Sequence, residues 1–365
     1  MLDAGSWTFP HSLISSVSLF TILRIQILAL LFFCNLGAAM AQRIPAPAIV
    51  YSAHNPAAIK DYRTDPAIVR AMVNRLVLAV TGQPDLPRAW GSLVSPNDKV
   101  GIKICAAGGE LFTTHRDIVN AIVDGLVAAG HSRNSIIVWD RSLGGIKDAG
   151  YRPDAEGYQM RSIAPRDGYD PKAIFTAPIT GKLIWGDLEF RSDRGQIPLL
   201  SDQEQTSDES HFARIVSSEV TKIINVPVMS DSSSNGIVGC LYNVTLPNID
   251  NWRRFAQGSP FGRAIIADIY RHPMIGPKVV LNIMDGLIAE YAGGPQSQPN
   301  YAVHHATILA SKDPVAIDAM AVRQIEEWRK TARLPAITPL AIHVQAAAQL
   351  GIGNAEAIEV RNVER

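Results

Sequence analysis

The sequence predicts an α/β protein: a three-layer sandwich on a mostly parallel sheet, with a long loop and hairpin insertion over residues 150–218. Three observations carry that reading. Short apolar runs rich in Val and Ile alternate with stretches whose apolar residues recur at helical spacing. Two of the helical stretches open on Asp-Pro, in which the aspartate caps the helix and the proline takes its first position. Between Gly150 and Ser218 both patterns fail and Gly, Pro, Asp and Ser become frequent, which is too long a stretch for an ordinary connection.

The first helix opens at Asp65-Pro66, carries Ile68, Val69, Met72, Val73, Leu76, Val77 and Val80 at helical spacing, and ends at Gly82. Lys99–Cys105 reads as a buried strand. A loop from Ala106 to Thr114 leads into a helix from Arg116 to Ala129, and Ser135–Trp139 is a second strand that closes on Asp140. That βαβ unit implies a parallel pair with a right-handed crossover. Inside the insertion, Lys182–Trp185 and Leu188–Phe190 read as a short hairpin across Gly186-Asp187. Lys222–Val226, Lys278–Met284 and His305–Ala310 are further strands. A helix opens at Asp313-Pro314, a last one runs from Thr338-Pro339 to Leu350-Gly351, and Ala357–Val360 is an edge strand.

The amino-terminal segment reads as an export signal. Ile22–Phe33 is apolar apart from Arg24 and Gln26, and Ala39 and Ala41 place small side chains at the −3 and −1 positions of a cleavage site. The apolar core is about a dozen residues, short for a membrane span of ~20. Removing residues 1–41 leaves 365 − 41 = 324 residues, read as a single α/β domain over 42–365. The leader holds one acid, Asp3, and one base, Arg24, so each total falls from 34 to 33 and the formal charge stays zero. The mature protein is therefore expected in an extracytoplasmic compartment, touching a membrane only through an uncleaved leader. No basic stripe marks a nucleic-acid binder. Oligomeric state is not legible. Cys105 and Cys240 remain after cleavage, both among small or apolar neighbours, and two cysteines cannot hold an iron–sulfur cluster unaided.

Ligands of an open parallel sheet bind outside the carboxyl ends of its strands, so the strand-end loops are the candidate site. The first, Cys105 to His115, offers Gly108 and Gly109 for close backbone approach. Thr114 and His115 stand at the start of the following helix; Thr113 or Thr114 could cap it, and the helix dipole disfavours a cationic His115. The second loop starts at Asp140. The third runs from Asn225 through Ser230-Asp231-Ser232 to Asn243, the fourth from Asp285-Gly286 to Gly294-Pro295, and the fifth holds Asp313, read as a helix N-cap. His115, Asp140, His211, Asp285, His304 and His305 supply atoms suited to a divalent metal, but no HxxxH or HExxH spacing gathers them on one element. Gly-x-Ser-x-Gly, Walker and Gly-x-Gly-x-x-Gly motifs are absent.

The order of these pieces resembles a family, domain of unknown function 362 (DUF362). The resemblance rests on Val100-Gly-Ile-Lys103-Ile, Thr114-His115 with Asp117-Ile-Val, Ile223-Ile-Asn225-Val-Pro227, Gly239-x-Leu241-x-Asn243, Asp285-Gly286 with Gly293-Gly294-Pro295, and Ser311-Lys-Asp313-Pro314. It implies an α/β fold with these loops clustered and supplies no reaction. The family's pattern commonly has a lysine after Asn-x-Pro and another before the Asn at 243; this chain has Met229-Ser230-Asp231 and Tyr242 there. Cysteine motifs of the ferredoxin kind, present in some members, are missing.

Taken together, these features lead to an expected exported enzyme or enzyme-like protein acting on a small polar or anionic molecule, with a divalent metal left open. In that reading His115, Asp140 and Asp285 are ligands or acid–base groups, and Gly108, Gly109, Thr114, Asn225, Asn243 and Gly294 bind substrate. The competing reading is a non-catalytic module that binds a solute or another protein.

Overall fold

Strands and helices alternate through much of the described part of the chain. In order come β1 (Ala48–His54), β2 (Ile59–Lys60), β3 (Arg63–Thr64), α1 (Pro66–Thr81), α2 (Leu86–Leu93), β4 (Val100–Ile104), α3 (Arg116–Ala128), β5 (Ile137–Asp140) and α4 (Leu143–Asp148). These are followed by β6 (Gln159–Ser162), β7 (Tyr169–Thr176), β8 (Glu209–Ala213), β9 (Lys222–Val226), β10 (Val228–Ser232), β11 (Gly236–Val238) and α5 (Cys240–Val244). The chain then forms α6 (Pro260–Arg271), β12 (Val279–Glu290), β13 (Ala302–Ser311), α7 (Pro314–Thr331), α8 (Ile342–Gln349) and β14 (Ile358–Asn362). This computed structural model describes residues 46–152, 155–164, 168–177, 208–252, 255 and 260–363, so the leader and the 182–190 hairpin lie outside the described residues. The chain divides into two units, Met1–Ala46 and Pro47–Arg365, and the elements above all belong to the second. Among the described residues no helix is long and apolar enough to cross a membrane.

The main sheet runs β14-β1-β13-β12-β9-β4-β5-β6, with β10 beside the end of β12 and β11 paired to β10. Pairs β14–β1, β12–β9, β9–β4, β4–β5, β5–β6 and β10–β12 are parallel, and only β1–β13, β13–β12 and β10–β11 are antiparallel. The core confirms a three-layer sandwich. Successive strand residues point to opposite faces, so Val138, Ile224, Ile283 and Ile308 join one apolar cluster with Val73, Trp90 and Ile122 of α1, α2 and α3. Their neighbours Trp139, Ile223, Met284 and Leu309 join the other, with Leu241, Ile266, Ile317 and Val344 of α5, α6, α7 and α8.

The Asp-Pro helix starts behave as read. Asp65 Oδ1 accepts from the N–H groups of Ala67 and Ile68, and Asp313 Oδ1 from Ala316. The last helix departs from its predicted start at Thr338. Thr338 gives both its N–H and its hydroxyl to the Glu326 carboxylate of α7, so its capping oxygen is spent on a neighbouring helix and α8 begins at Ile342. β6, within the segment read as an insertion, extends the main sheet parallel to β5, and β7 with β8 forms a separate antiparallel pair.

Close packing between α2 and α3 yields a test. A Cβ at Gly125 would lie 2.0 Å from Trp90 Nε1, and Trp90 is fully buried. Gly125→Ala gains about 1 kcal/mol of helix propensity but overpacks a site where such changes cost ~1–3 kcal/mol. A net loss of stability is expected in urea denaturation, against the ordinary gain of Gly→Ala in a helix.

Candidate functional site at the strand ends

A row of polar side chains crosses the centre of the sheet. Lys103 pairs in register with Asn225, Asn225 with Asn282, and Asn282 with Ser311, on the neighbouring strands β4, β9, β12 and β13. All four are buried. Asn225 donates from Nδ2 to Asn282 Oδ1 (2.9 Å) and to the Cys240 carbonyl (2.8 Å). Asn243, on the short helix α5, donates to Asn225 Oδ1 (2.8 Å) and to the Lys103 carbonyl (3.3 Å). The ammonium of Lys103 donates to Asp140 Oδ1 (2.6 Å), the Ile104 carbonyl (2.7 Å) and Asn243 Oδ1 (3.3 Å). A lysine has three donors and no acceptor, so every proton it can share is placed.

Asp140 is the point where this network meets open space. Its second oxygen accepts from the Ala106 N–H at 2.7 Å, and its side chain keeps 11% exposure. It lines a cavity of about 550 Å³ together with Asn243 and Gly109. Tyr242, Pro247 and Trp252 form an apolar wall, and the Arg141 guanidinium lies over the Trp252 ring, 4.6 Å from its centre. The segment Pro295–Ser297 forms a further part of the rim. Burial drives the thiol of Cys105, which also lines the cavity, up to about 12, so it is a neutral wall group rather than a nucleophile. Cys105 and Cys240 are both free and buried.

Several other residues read from the sequence support the walls without lining them. Thr114 donates its hydroxyl to the Val226 carbonyl (2.6 Å) and accepts from the Cys105 N–H (2.9 Å), which ties the first loop to two strand ends. Neither it nor Thr113, whose hydroxyl bonds the Cys105 carbonyl, caps α3; the N-cap position falls to His115, without a side-chain cap bond. A Cβ at Gly108 would lie 2.2 Å from the Phe112 carbonyl oxygen, and one at Gly294 2.2 Å from that of Asp231. Both glycines answer a close backbone contact. Asn225 acts one step removed, by holding Asn243.

His115 and Asp285 meet each other and stand apart from the cavity lining. Asp285 Oδ2 lies 2.7 Å from both His115 Nδ1 and the His115 N–H. Burial disfavours the charged ring, but the adjoining Asp285 carboxylate outweighs burial and raises the pKa of His115 above its ordinary value. The dipole expectation of a disfavoured cation is thus reversed, because a carboxylate in contact exceeds the partial charge of a helix end. Asp285 itself falls within β12, which continues to Glu290 past an irregularity after Gly286, so the fourth loop begins later than predicted. The third loop is likewise mostly strand: β10 and β11 form a hairpin in which Ser230, Asp231 and Ser232 are buried.

The metal expectation finds no gathered donor set: among the described residues no three His, Cys, Asp or Glu side chains converge. His211 pairs with Asp250 (2.8 Å), His304 packs edge-on to Tyr62, and His305 packs against Trp328, with burial bringing its pKa down to about 4.

The family described as Domain of unknown function (DUF362) matches residues 99–323. The chain belongs to the DUF362 family. No curated protein matches it. A crystal structure of a protein from Thermotoga maritima, a structural-genomics target, aligns at 10% identity with a TM-score of 0.39, covering 76% of this chain. The chain spans 61% of that protein's length.

A second buried cluster joins Ser230, Asp231 and Gly294, which the sequence places in strand-end loops, to Glu290, which sequence reading passed over. Glu290 accepts from the Ser230 hydroxyl (2.9 Å) and the Gln298 N–H (2.8 Å), and Asp231 accepts from the Gly294 N–H (2.8 Å). These bonds hold both ends of the segment 294–298 that forms the cavity rim. Arg329 of α7 braces it, donating to the Tyr291 carbonyl at 2.8 Å with Asp231 at 3.4 Å. Burial pushes the Glu290 carboxyl up to about 7, above an ordinary value of 4.5. A protonated Glu290 also resolves the bonding, since the single Ser230 hydroxyl proton can then serve the Asp231 carbonyl, 3.1 Å away. Lys103 and Glu290 share one legible signal: a charged residue within a continuous apolar strand must be paired or neutralised when buried.

Two predictions follow from this geometry. Asp140→Ala leaves the buried Lys103 ammonium uncompensated and should cost about 3–5 kcal/mol in chemical denaturation, much of it recovered by adding Lys103→Met. For Glu290 the folded state retains a proton that the unfolded chain releases, so its contribution is present below 4.5 and is lost as pH rises to about 7. Glu290→Gln, which imitates the protonated acid, should flatten that part of the stability–pH curve. Asp318, also pushed by burial to about 7, keeps a residual slope in the same direction.

Proposed function

We propose that the chain binds a small molecule in the strand-end cavity, its apolar or ring-bearing body against Tyr242 and Trp252 and a hydrogen-bond donor on Asp140. One observation carries this reading. Asp140 is a carboxylate on the lining of a mostly apolar-walled cavity of about 550 Å³, fixed from behind by the Lys103 ammonium and the Ala106 N–H. The size suits an organic ligand, and few fixed polar groups on apolar walls are the usual construction of such sites. Each carboxylate oxygen accepts more than one hydrogen bond, so Asp140 can take a hydroxyl or amine proton while keeping its present partners. Asn243, held by Asn225, supplies a second fixed polar group on the same lining. In a catalytic version Asp140 is the proton acceptor, and the His115–Asp285 pair positions the first loop.

Cleavage after Ala41 and action outside the cytoplasm belong to the same proposal; the amino-terminal sequence of protein recovered from its host compartment tests them. For the site, a thermal-shift screen should favour hydroxyl- and amine-bearing ring compounds over carboxylates of similar size. Asp140→Asn should weaken a hit by about tenfold or more, equivalent to ~1.4 kcal/mol. Ser142→Trp, which fills the cavity from a lining position outside the buried network, should abolish binding. Hits that are unchanged in both variants would place the ligand elsewhere, and product detection by mass spectrometry separates conversion from binding.

A further inference from the structure

At one end of the sheet β14 pairs with β1, and among the described residues nothing pairs with its outer edge. The bonds to β1 fix which backbone groups that edge presents. Ala48 N–H donates to the Ala357 carbonyl, and Val363 N–H donates to the Ser52 carbonyl. Alternation along a parallel ladder then turns Glu359 and Arg361 toward β1 and leaves the N–H and C=O of Ile358, Val360 and Asn362 facing outward.

Its side chains alternate too. Ile358 packs against the core cluster under α7 and α8, while Val360, on the same face, is 46% exposed. Glu359 and Arg361 share the other face and form an ion pair at 2.7 Å. Natural edges are commonly blunted by proline, a bulge or unopposed charge. β14 has no proline, runs in unbroken register with β1, and carries two opposite charges.

We propose that this edge docks on a second copy of the chain, antiparallel about a two-fold axis through Val360. That axis sets Val360 opposite its own copy and Ile358 opposite Asn362 of the partner subunit, all at positions with outward backbone groups, giving about six hydrogen bonds. It also sets Glu359 opposite Arg361 of the partner subunit, and the reverse, in the closely spaced positions where side chains interact most. Axes through Glu359 or Arg361 put like charges face to face. Within the strand Ile358–Asn362, axes through Ile358 or Asn362 set neither Glu359 nor Arg361 opposite a charge. The strand is therefore self-complementary in one register, as a two-fold interface requires. A contact confined to one five-residue strand edge falls well below the ~1,600 Å² of a standard stable interface, so weak, concentration-dependent association is expected.

Light scattering of the full chain over a wide dilution series tests this. The mass should rise toward twice the monomer with concentration. Glu359→Arg should hold the protein monomeric, and adding Arg361→Glu to that variant should restore the dimer by exchanging the charges. Val360→Pro, which removes an outward N–H, should also remain monomeric; the two charge variants, altered at exposed positions, keep the test decisive if that proline disturbs folding. A wild-type chain that is monomeric at every concentration overturns the proposal. So does a dimer indifferent to charge reversal, or a double variant no better than the single.

Discussion

Lys103 brings an ammonium group into the middle of an apolar sheet, and much of the molecule's architecture serves to keep that group satisfied. Asp140 ends the next strand where it can reach Lys103, and Asn243 comes over the sheet on α5 to complete the set. That short helix is in turn seated by Asp318 of α7, which accepts the N–H groups of Cys240 and Leu241. A Cβ at Gly239 would lie 2.2 Å from the same carboxylate, so α5 approaches α7 as closely as a backbone can. The polar row and the groups bonded to it fix the relative positions of six elements more tightly than apolar contact alone, because a lost partner leaves a buried charge or amide exposed to a low-dielectric interior.

The cavity follows from the same constraint. Its Asp140 edge is the end of the polar row, its apolar wall is carried by α5 and the residues just after it, and its rim hangs from Asp231 and Glu290. These pieces come from distant parts of the chain, but each is anchored to a strand or helix in the sheet's layers. A site built in this way is pre-organised: the groups that would meet a ligand already have their positions set by hydrogen bonds behind them. Glu290 adds a dependence on pH to the rim, since its proton and the Ser230 hydroxyl share one chain of hydrogen bonds.

Much of the fold was legible in the sequence because it rests on local physics. The caps at Asp65 and Asp313, the apolar runs of β4, β5 and β9, and the helical face of α1 each follow from side-chain chemistry within a few residues. Where reading failed, a distant group had intervened. Thr338 looked like a cap and was claimed by Glu326; Thr113 and Thr114 looked like caps and were claimed by strand carbonyls. The run Ser230-Asp231-Ser232 looked like part of a strand-end loop, but pairing to β11 and β12 made it a buried strand. His115 looked biased toward neutrality until Asp285, 170 residues away, placed a carboxylate against it.

The sequence by itself determined the elements with strong local signals, the parallel βαβ core and the membership that the ordered motifs signal, while β1, α2, α6 and the β10–β11 hairpin went unread. Tertiary structure alone decided which polar residues share a site. Register across four strands aligned Lys103, Asn225, Asn282 and Ser311 and carried the row to Asp140, while His115 and Asp285 were paired outside the cavity they had been expected to serve. The physical reason is range. Propensity and capping act over a few residues of chain, whereas hydrogen bonds, ion pairs and burial act over a few ångströms of space, and only the fold relates one to the other.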